Sequence, residues 1–303
     1  MNQPCPPSTS TNLSPPNPKD KRTNPSSTNS STTVLTLPVP VSSRELEKNE
    51  GRQNLESCRD YLFQDINPAR ATALLLSFCF MSGFINAVPF TAILVWCGFQ
   101  TGNTVQLAVA IGKFFDPENR DMSFEMADKQ ALVSLLSYLV GGLLGRYGDR
   151  MGPTTRAWLS LGTFGQALLT MAAAITIWKS GEPSIAQTRG DDAWTNTLSF
   201  VSLAFASASL GLQAVMSKRV SSHFGATVVL TTLWAEFIGD PHLFKRGYAP
   251  SRDHRILAVV AFVLGGIFGR GVLDQIGSAA VFGLGTGMRI LIAIGWLFVP
   301  SIS

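Results

Sequence analysis

Between Ala71 and Gly112 the sequence has no Asp, Glu, Lys or Arg. That absence excludes a soluble core helix, because about twenty apolar residues already span the hydrocarbon core of a bilayer. Cysteine is scarce: Cys5, Cys58, Cys79 and Cys97 form no Cys-x-x-Cys pair, so neither a disulfide framework nor a structural zinc site is expected. Cys79 and Cys97 fall in apolar runs and read as small buried hydrophobes. His223, His242 and His254 lie at segment edges without metal-ligand spacing. No Ser-His-Asp, paired-carboxylate or phosphate-loop constellation can be assembled, so neither an enzyme nor a cofactor is expected. Basic residues are not interleaved with aromatics, and nucleic acid is not an expected partner. The start of the chain lacks an apolar core behind a basic segment, which argues against a cleaved signal peptide.

What is present falls into two parts. Residues 1–67 are rich in Ser, Thr, Pro and Asn, a composition that cannot bury enough apolar surface to offset chain entropy, so a disordered tail is expected there. From about residue 68 to 300, apolar segments recur near 71–90, 98–112, 129–146, 157–178, 195–216, 224–239, 255–273 and 279–299. The fold expected is all-α: a polytopic integral membrane protein with six to eight transmembrane segments. Loop charge favours six, because short cytoplasmic loops carry excess Lys and Arg. The loop 146–156 carries Arg146, Arg150 and Arg156, and the loop 240–255 carries Lys245, Arg246, Arg252 and Arg255. By contrast, 113–129 is acidic, with Asp116, Glu118, Asp121, Glu125 and Asp128, and 179–192 holds Glu182, Asp191 and Asp192. Six crossings with the tail in the cytoplasm place both basic loops inside. Lys218 and Arg219 would then be on the outer side or buried.

The segments also repeat. Ser82-Gly83-Phe84-Ile85-Asn86-Ala87-Val88 is echoed by Leu210-Gly211-Leu212-Gln213-Ala214-Val215, and Thr101 to Thr104 by the run Thr227 to Thr232, at an offset near 128. Leu139-Val140-Gly141-Gly142-Leu143-Leu144-Gly145-Arg146 is echoed by Val263-Leu264-Gly265-Gly266-Ile267-Phe268-Gly269-Arg270 at an offset of 124. Two related halves follow, about 71–180 and 194–299. With an odd number of spans each, one half is inverted relative to the other, a recurring plan of secondary transporters. The Gly141/Gly145 and Gly265/Gly269 spacings read as packing faces, where small residues let backbones approach.

Asn86, Gln100, Asn103, Gln106 and Gln213 are the amides of the repeat cores. Their plainer role is interhelical hydrogen bonding. A sharper one starts from Gly102, which can break a helix. A helix beginning at Thr101 to Asn103 would turn backbone donors and a positive dipole end toward a polar or anionic solute, with Thr101 and Asn103 as caps. Such a break survives in hydrocarbon only when buried in protein or lining a wet cavity. Glu236 and Arg289 are the charges least at ease in apolar segments. Intramembrane charge marks a partner or a pathway, and a mutual pair, or snorkelling of Glu236 to the interface, competes with a transport role.

These residues resemble a known family, the YoaK-type polytopic membrane proteins, known as domain of unknown function 1275, in its fungal form. The resemblance is carried by Gly83-Phe84-Ile85-Asn86-Ala87, Gln100-Thr101-Gly102-Asn103-Thr104-Val105, Gly211-Leu212-Gln213-Ala214, Thr227-Val228-Val229-Leu230-Thr231-Thr232 and Asp240-Pro241-His242-Leu243-Phe244. It covers roughly 70–298 and implies an integral membrane protein without an assigned activity and without catalytic residues. Bacterial members of the family often have Asp where Asn86 stands here, so a proton or cation role for that acid does not carry over. The expected function is a carrier of a small polar or anionic solute, with Asn86, Thr101, Gly102, Asn103 and Gln106 facing Gln213, Thr227, Thr231 and Thr232 across a repeat interface. The alternative is a non-catalytic membrane scaffold or regulator with a phosphorylatable cytoplasmic tail.

Overall fold

The computed structural model describes residues 43–115, 123–185, 193–220, 230–245, 247 and 249–302. The chain divides into two compact units, residues 1–48 and 49–303. Of the first, residues 43–48 are described and helical. The second is an all-α membrane bundle whose described residues contain only isolated β-bridges besides helix and loop. Its helices, with the one that enters it, are α1 (Ser43–Leu62), α2 (Thr72–Ile93), α3 (Gln100–Gly112), α4 (Met126–Gly145), α5 (Gly148–Met151), α6 (Arg156–Ser180), α7 (Thr197–Val220), α8 (Leu230–Ile238) and α9 (Pro250–Trp296).

Local chemistry sets the helix ends. Glu125 and Asp128 form a reciprocal capping box at the start of α4. Thr155 accepts from Trp158 N (3.3 Å) to cap α6, and Gly181 ends that helix at φ 68°. Pro250 opens α9 where a missing N–H costs nothing.

As a straight rod α9 would be about 70 Å long, more than twice the hydrocarbon core of about 30 Å. Gly277 folds it instead, with φ 78° and ψ 170° in the middle of the apolar stretch, a conformation that glycine adopts without a Cβ clash. The arms α9a (250–276) and α9b (278–296) both lie on α2. Gly265 and Gly269 pack on Phe80 and Phe84, whereas Gly285 and Gly295 pack on Ile85 and Leu74. The contact therefore climbs α2 along one arm and descends it along the other. With α2, α4, α6 and α7 of membrane-crossing length and composition, the two arms bring the crossings to six. At 13 and 9 residues, α3 and α8 are too short to span.

Helices α2 and α7 form the centre. Each is 61% buried over its most apolar stretch, against 28% for α4, which turns much of its surface to lipid. Glycines hold the close pairs together. A Cβ at Gly83 would stand 2.0 Å from Phe262 O, and one at Gly265 2.0 Å from Phe80 O, joining α2 to α9a. A Cβ at Gly211 would stand 2.0 Å from Tyr138 O, and one at Gly141 1.9 Å from Ala208 O, joining α7 to α4. Nothing larger than glycine fits between these backbones, as the spacings at Gly141 and Gly265 predicted; their counterparts Gly83 and Gly211 carried no such spacing. Helix α6 runs antiparallel to α7, since Gly162 meets Met216 while Ser202 Oγ donates to Ala173 O (2.9 Å).

One end of the bundle gathers the chain's entry, a loop and its exit. Ile66 N donates to Thr154 O (3.0 Å), Asn67 N to Pro300 O (2.9 Å), and Arg156 Nε to Val299 O (2.8 Å). The guanidinium of Arg156 also donates to Tyr61 O and Gln64 Oε1 and lies 4.1 Å from the Tyr61 ring centroid. The described part of residues 1–67 adds a helix and a buried strap to the expected tail. Ser43–Leu62 is helical and Ile66 is fully buried, because composition averaged over the Ser/Thr-rich start masks a local helix and an anchoring strap. Residues 1–42 lie outside the described residues. Both basic loops stand at this same end, as the six-crossing reading requires. Arg219 is a correction: it is exposed, at this end too, and pairs with Asp149 (2.6 Å), because α7 is a complete crossing.

Candidate functional site

The link between α2 and α3 builds the first part of the site. Helix α2 stops at Leu94, whose φ is 59°, and residues 95–99 turn back along it. Trp96 stacks on Phe90 with ring centroids 3.8 Å apart, and Gly98 N donates to Asn86 Oδ1 (2.9 Å). Helix α3 consequently begins inside the bundle, at the depth of Asn86, and runs back along α4 until Gln106 Nε2 reaches Asp128 Oδ1 (3.2 Å). The Thr101-Gly102-Asn103 segment does start a helix within the bundle, but the caps differ from expectation. The N-cap is Phe99, with no side-chain hydrogen bond. Asn103 instead turns back, its Nδ2 donating to Trp96 O (2.8 Å), Gln100 Oε1 (2.9 Å) and Ser134 Oγ (3.1 Å). Gln100 Nε2 donates to Cys97 O (2.8 Å). Ser134 Oγ lies 2.9 Å from Ser207 Oγ, linking this cluster to α7.

The second part surrounds Arg289. Its Nη1 donates to Thr170 Oγ1 (2.7 Å) and Gln166 O (3.0 Å), and its Nη2 to Gln213 Oε1 (3.2 Å). Gln213 Nε2 donates to Ser82 Oγ (2.8 Å) and Phe78 O (2.9 Å). Asn86 Nδ2 donates to Ser82 O (2.7 Å), so the two parts meet at Ser82. A polar layer thus crosses the bundle from α6 and α9b through α7 and α2 to α3 and α4.

Arg289 is fully buried, and none of the ion pairs among the described residues includes it. An arginine at the middle of a membrane helix costs about 2.5–3.5 kcal/mol on insertion scales. Each hydrogen bond from a charged donor returns about 1.5–3 kcal/mol, so three neutral acceptors suffice to hold the group. They leave its net charge uncancelled. Two polar atoms here, Arg289 Nε and Gln166 Oε1, have no hydrogen-bond partner.

Other expected placements change. Glu236 does not pair with Arg289: its Oε2 lies 3.3 Å from Arg255 Nε in the basic loop, because α8 ends near that loop while Arg289 faces the interior. Thr101 and Gly102 are exposed on α3, and Thr231 and Thr232 are exposed on α8. They do not face Gln213, whose partners come from α2 and α9b. Thr227 lies outside the described residues. Beside Glu236, Asp240 accepts from Ser251 Oγ (2.7 Å), His242 N (2.8 Å) and Arg255 Nη1 (2.6 Å). The Ser251 and His242 hydrogen bonds, with the Arg255 charge, hold its carboxyl below the ordinary aspartate range.

Ser82, Ser134, Gln166 and Thr170 belong to the polar layer and were missed from sequence. A signal for Gln166 exists: Leu161-Gly162-Thr163-Phe164-Gly165-Gln166 is echoed by Leu284-Gly285-Thr286-Gly287-Met288-Arg289 at an offset of 123. Gln166 and Arg289 hold the same place in the two runs, and Arg289 Nη1 donates to the main-chain O of Gln166.

No significant match is found among curated proteins or among solved structures. A family profile described as protein of unknown function (DUF1275) matches residues 74–295, nearly the whole bundle from α2 to α9b. The chain belongs to the DUF1275 family of membrane proteins.

Proposed function

We propose that the protein is a carrier of a small polar solute, built from two inverted halves and binding its solute at the polar layer of Asn86, Gln100, Asn103 and Gln213. The observation that carries this reading is the equivalence of the two glycine interfaces. Gly83 meets Phe262 O at 2.0 Å and Gly266 N at 2.8 Å, and Gly211 meets Tyr138 O at 2.0 Å and Gly142 N at 3.1 Å. At the echo offsets of 128 and 124 these are the same contacts, with the halves exchanging partners. The first helices, α2 and α7, run in opposite directions. Each is followed by a short helix, α3 or α8, and then by two crossings. Inverted repeats with interrupted helices and a midplane site are the architecture of many secondary carriers. A site between equivalent helices suits alternating access, because both halves present related groups to it.

Orientation follows from charge. The end carrying Arg146, Arg150, Lys245, Arg252 and Arg219 faces the cytoplasm. The test is flux into vesicles reconstituted with the full chain, across a panel of anions and neutral metabolites, with wild type beside Asn103→Leu. The wild type is expected to carry at least one solute and the variant to carry it more slowly. Equal flux in both would remove Asn103 from the site.

A further inference from the structure

We propose that Arg289 is an anion-binding residue and that the carrier's solute is a small monovalent anion; this rests on the carrier reading above. The guanidinium is completely enclosed, and every hydrogen bond it makes is to a neutral oxygen. Acids that could neutralise it are engaged elsewhere: Asp128 with Gln106, Asp149 with Arg219, Asp274 with Arg270, and Glu236 and Asp240 with Arg255. Among the described residues no carboxylate lies within ion-pair distance of Arg289, so its positive charge stands in low dielectric without a counter-charge from them. An anion supplies one, and attraction at such a place is far stronger than in water. Arg289 Nε, which has no partner, is the donor available to it.

Charge arithmetic selects valence. One arginine and one monovalent anion leave the layer neutral, whereas a divalent anion would leave a net negative charge among amides and hydroxyls. Gln166, Thr170 and Gln213 already accept from Nη1 and Nη2, which leaves the single Nε donor for a ligand, and the proposal is therefore confined to a small anion. The neighbouring grooves, lined by Phe80, Ile267, Phe268 and Met288 among others, are mostly apolar, with Ser77 at the edge of one.

The test uses the purified full chain in detergent, melted in sodium chloride, sodium acetate and sodium gluconate at equal ionic strength, with chloride flux measured in vesicles. Chloride or acetate is expected to raise the melting temperature saturably, and gluconate is not. Arg289→Lys should move the half-saturating concentration up at least about tenfold, since lysine lacks the fixed fork of donors. Should Arg289→Gln not fold, Arg289→Lys and Thr170→Val carry the comparison. Melting insensitive to the small anions, or equally sensitive in Arg289→Lys and wild type, would overturn the proposal. Saturable stabilisation without flux upholds the anion site and sinks the carrier. Flux of a neutral solute without any anion effect keeps the carrier and overturns Arg289's role.

Discussion

Replacing Gly83 with alanine tests the packing on which the bundle depends. The new Cβ would sit 2.0 Å from Phe262 O and 2.8 Å from Gly266 N, both backbone atoms that cannot swing aside. Helices α2 and α9a would have to part by more than about 1 Å, and a gap of 0.5–1 Å already forfeits a quarter to a half of each dispersion contact. Overpacking of this kind costs about 1–3 kcal/mol, partly offset by up to about 1 kcal/mol from alanine's better helix propensity. In a domain of this size that corresponds to a fall in melting temperature of about 2–10 °C. Gly211→Ala should fall by a similar amount, since its Cβ would meet Tyr138 O at the same 2.0 Å. Gly271 and Gly287, with nothing within 4 Å of an added Cβ, are the controls and should be neutral or slightly stabilised. Cys79 and Cys97 are free and buried, so a thiol-reactive dye reports unfolding once Cys5 and Cys58 are changed to serine. If Gly83→Ala and Gly211→Ala melt with the controls, the interfaces are not backbone-limited. If only one falls, they are not equivalent.

Three further outcomes follow from the hydrogen-bond network. Gln213→Leu leaves Arg289 Nη2 and Ser82 Oγ each short of a partner, and should lower stability by about 1–3 kcal/mol in the same melting assay. The Asp240 carboxyl lies below its ordinary value near 3.8. Its contribution is therefore fully present above that value and lost as pH falls through the lower folded value, and Asp240→Asn should flatten this part of an acid-melting profile. Arg156→Met removes the bonds to Tyr61 O, Gln64 Oε1 and Val299 O, and should raise the rate of proteolytic cleavage in residues 57–67 several-fold while leaving cuts in the outer loops unchanged.

Much of this architecture was legible in sequence because a membrane imposes a coarse code. Apolar length bounded the crossings at six to eight, loop charge favoured six, and the Gly141/Gly145 and Gly265/Gly269 pairs marked two of the close helix contacts. The identity of polar partners was less legible. A glutamine or serine carries donors and acceptors that match almost any other polar group, so spacing gives the face of a helix but not its neighbour. Gln100 and Asn103 share a hydrogen bond on one turn of α3, a pairing of spacing i, i+3, while Ser134, which bridges them to α7, left no pattern of its own. Glu236 and Arg289 were grouped because both are rare charges in apolar runs, although short-range geometry tied Glu236 to Arg255. The helix at Ser43–Leu62 was hidden by the Ser/Thr-rich stretch with which it was averaged.

The echoed positions do not all tolerate identity. The interface glycines recur unchanged, because an added Cβ would meet a backbone carbonyl at about the same distance in both copies. Near the proposed axis the constraint reverses. Gln166 and Arg289 hold matching places in the two echoed runs, and Arg289 Nη1 donates to the main-chain O of Gln166, so an arginine at 166 would put a second buried cation on the residue whose backbone the first one touches. Two unit charges at 4 Å repel by about 4 kcal/mol even at an effective dielectric of 20, and more in a drier site. The neutral Gln166 avoids that repulsion, and the layer keeps the single positive charge of Arg289. On the two-half reading proposed above, glutamine rather than arginine at position 166 keeps a second cation away from the buried Arg289.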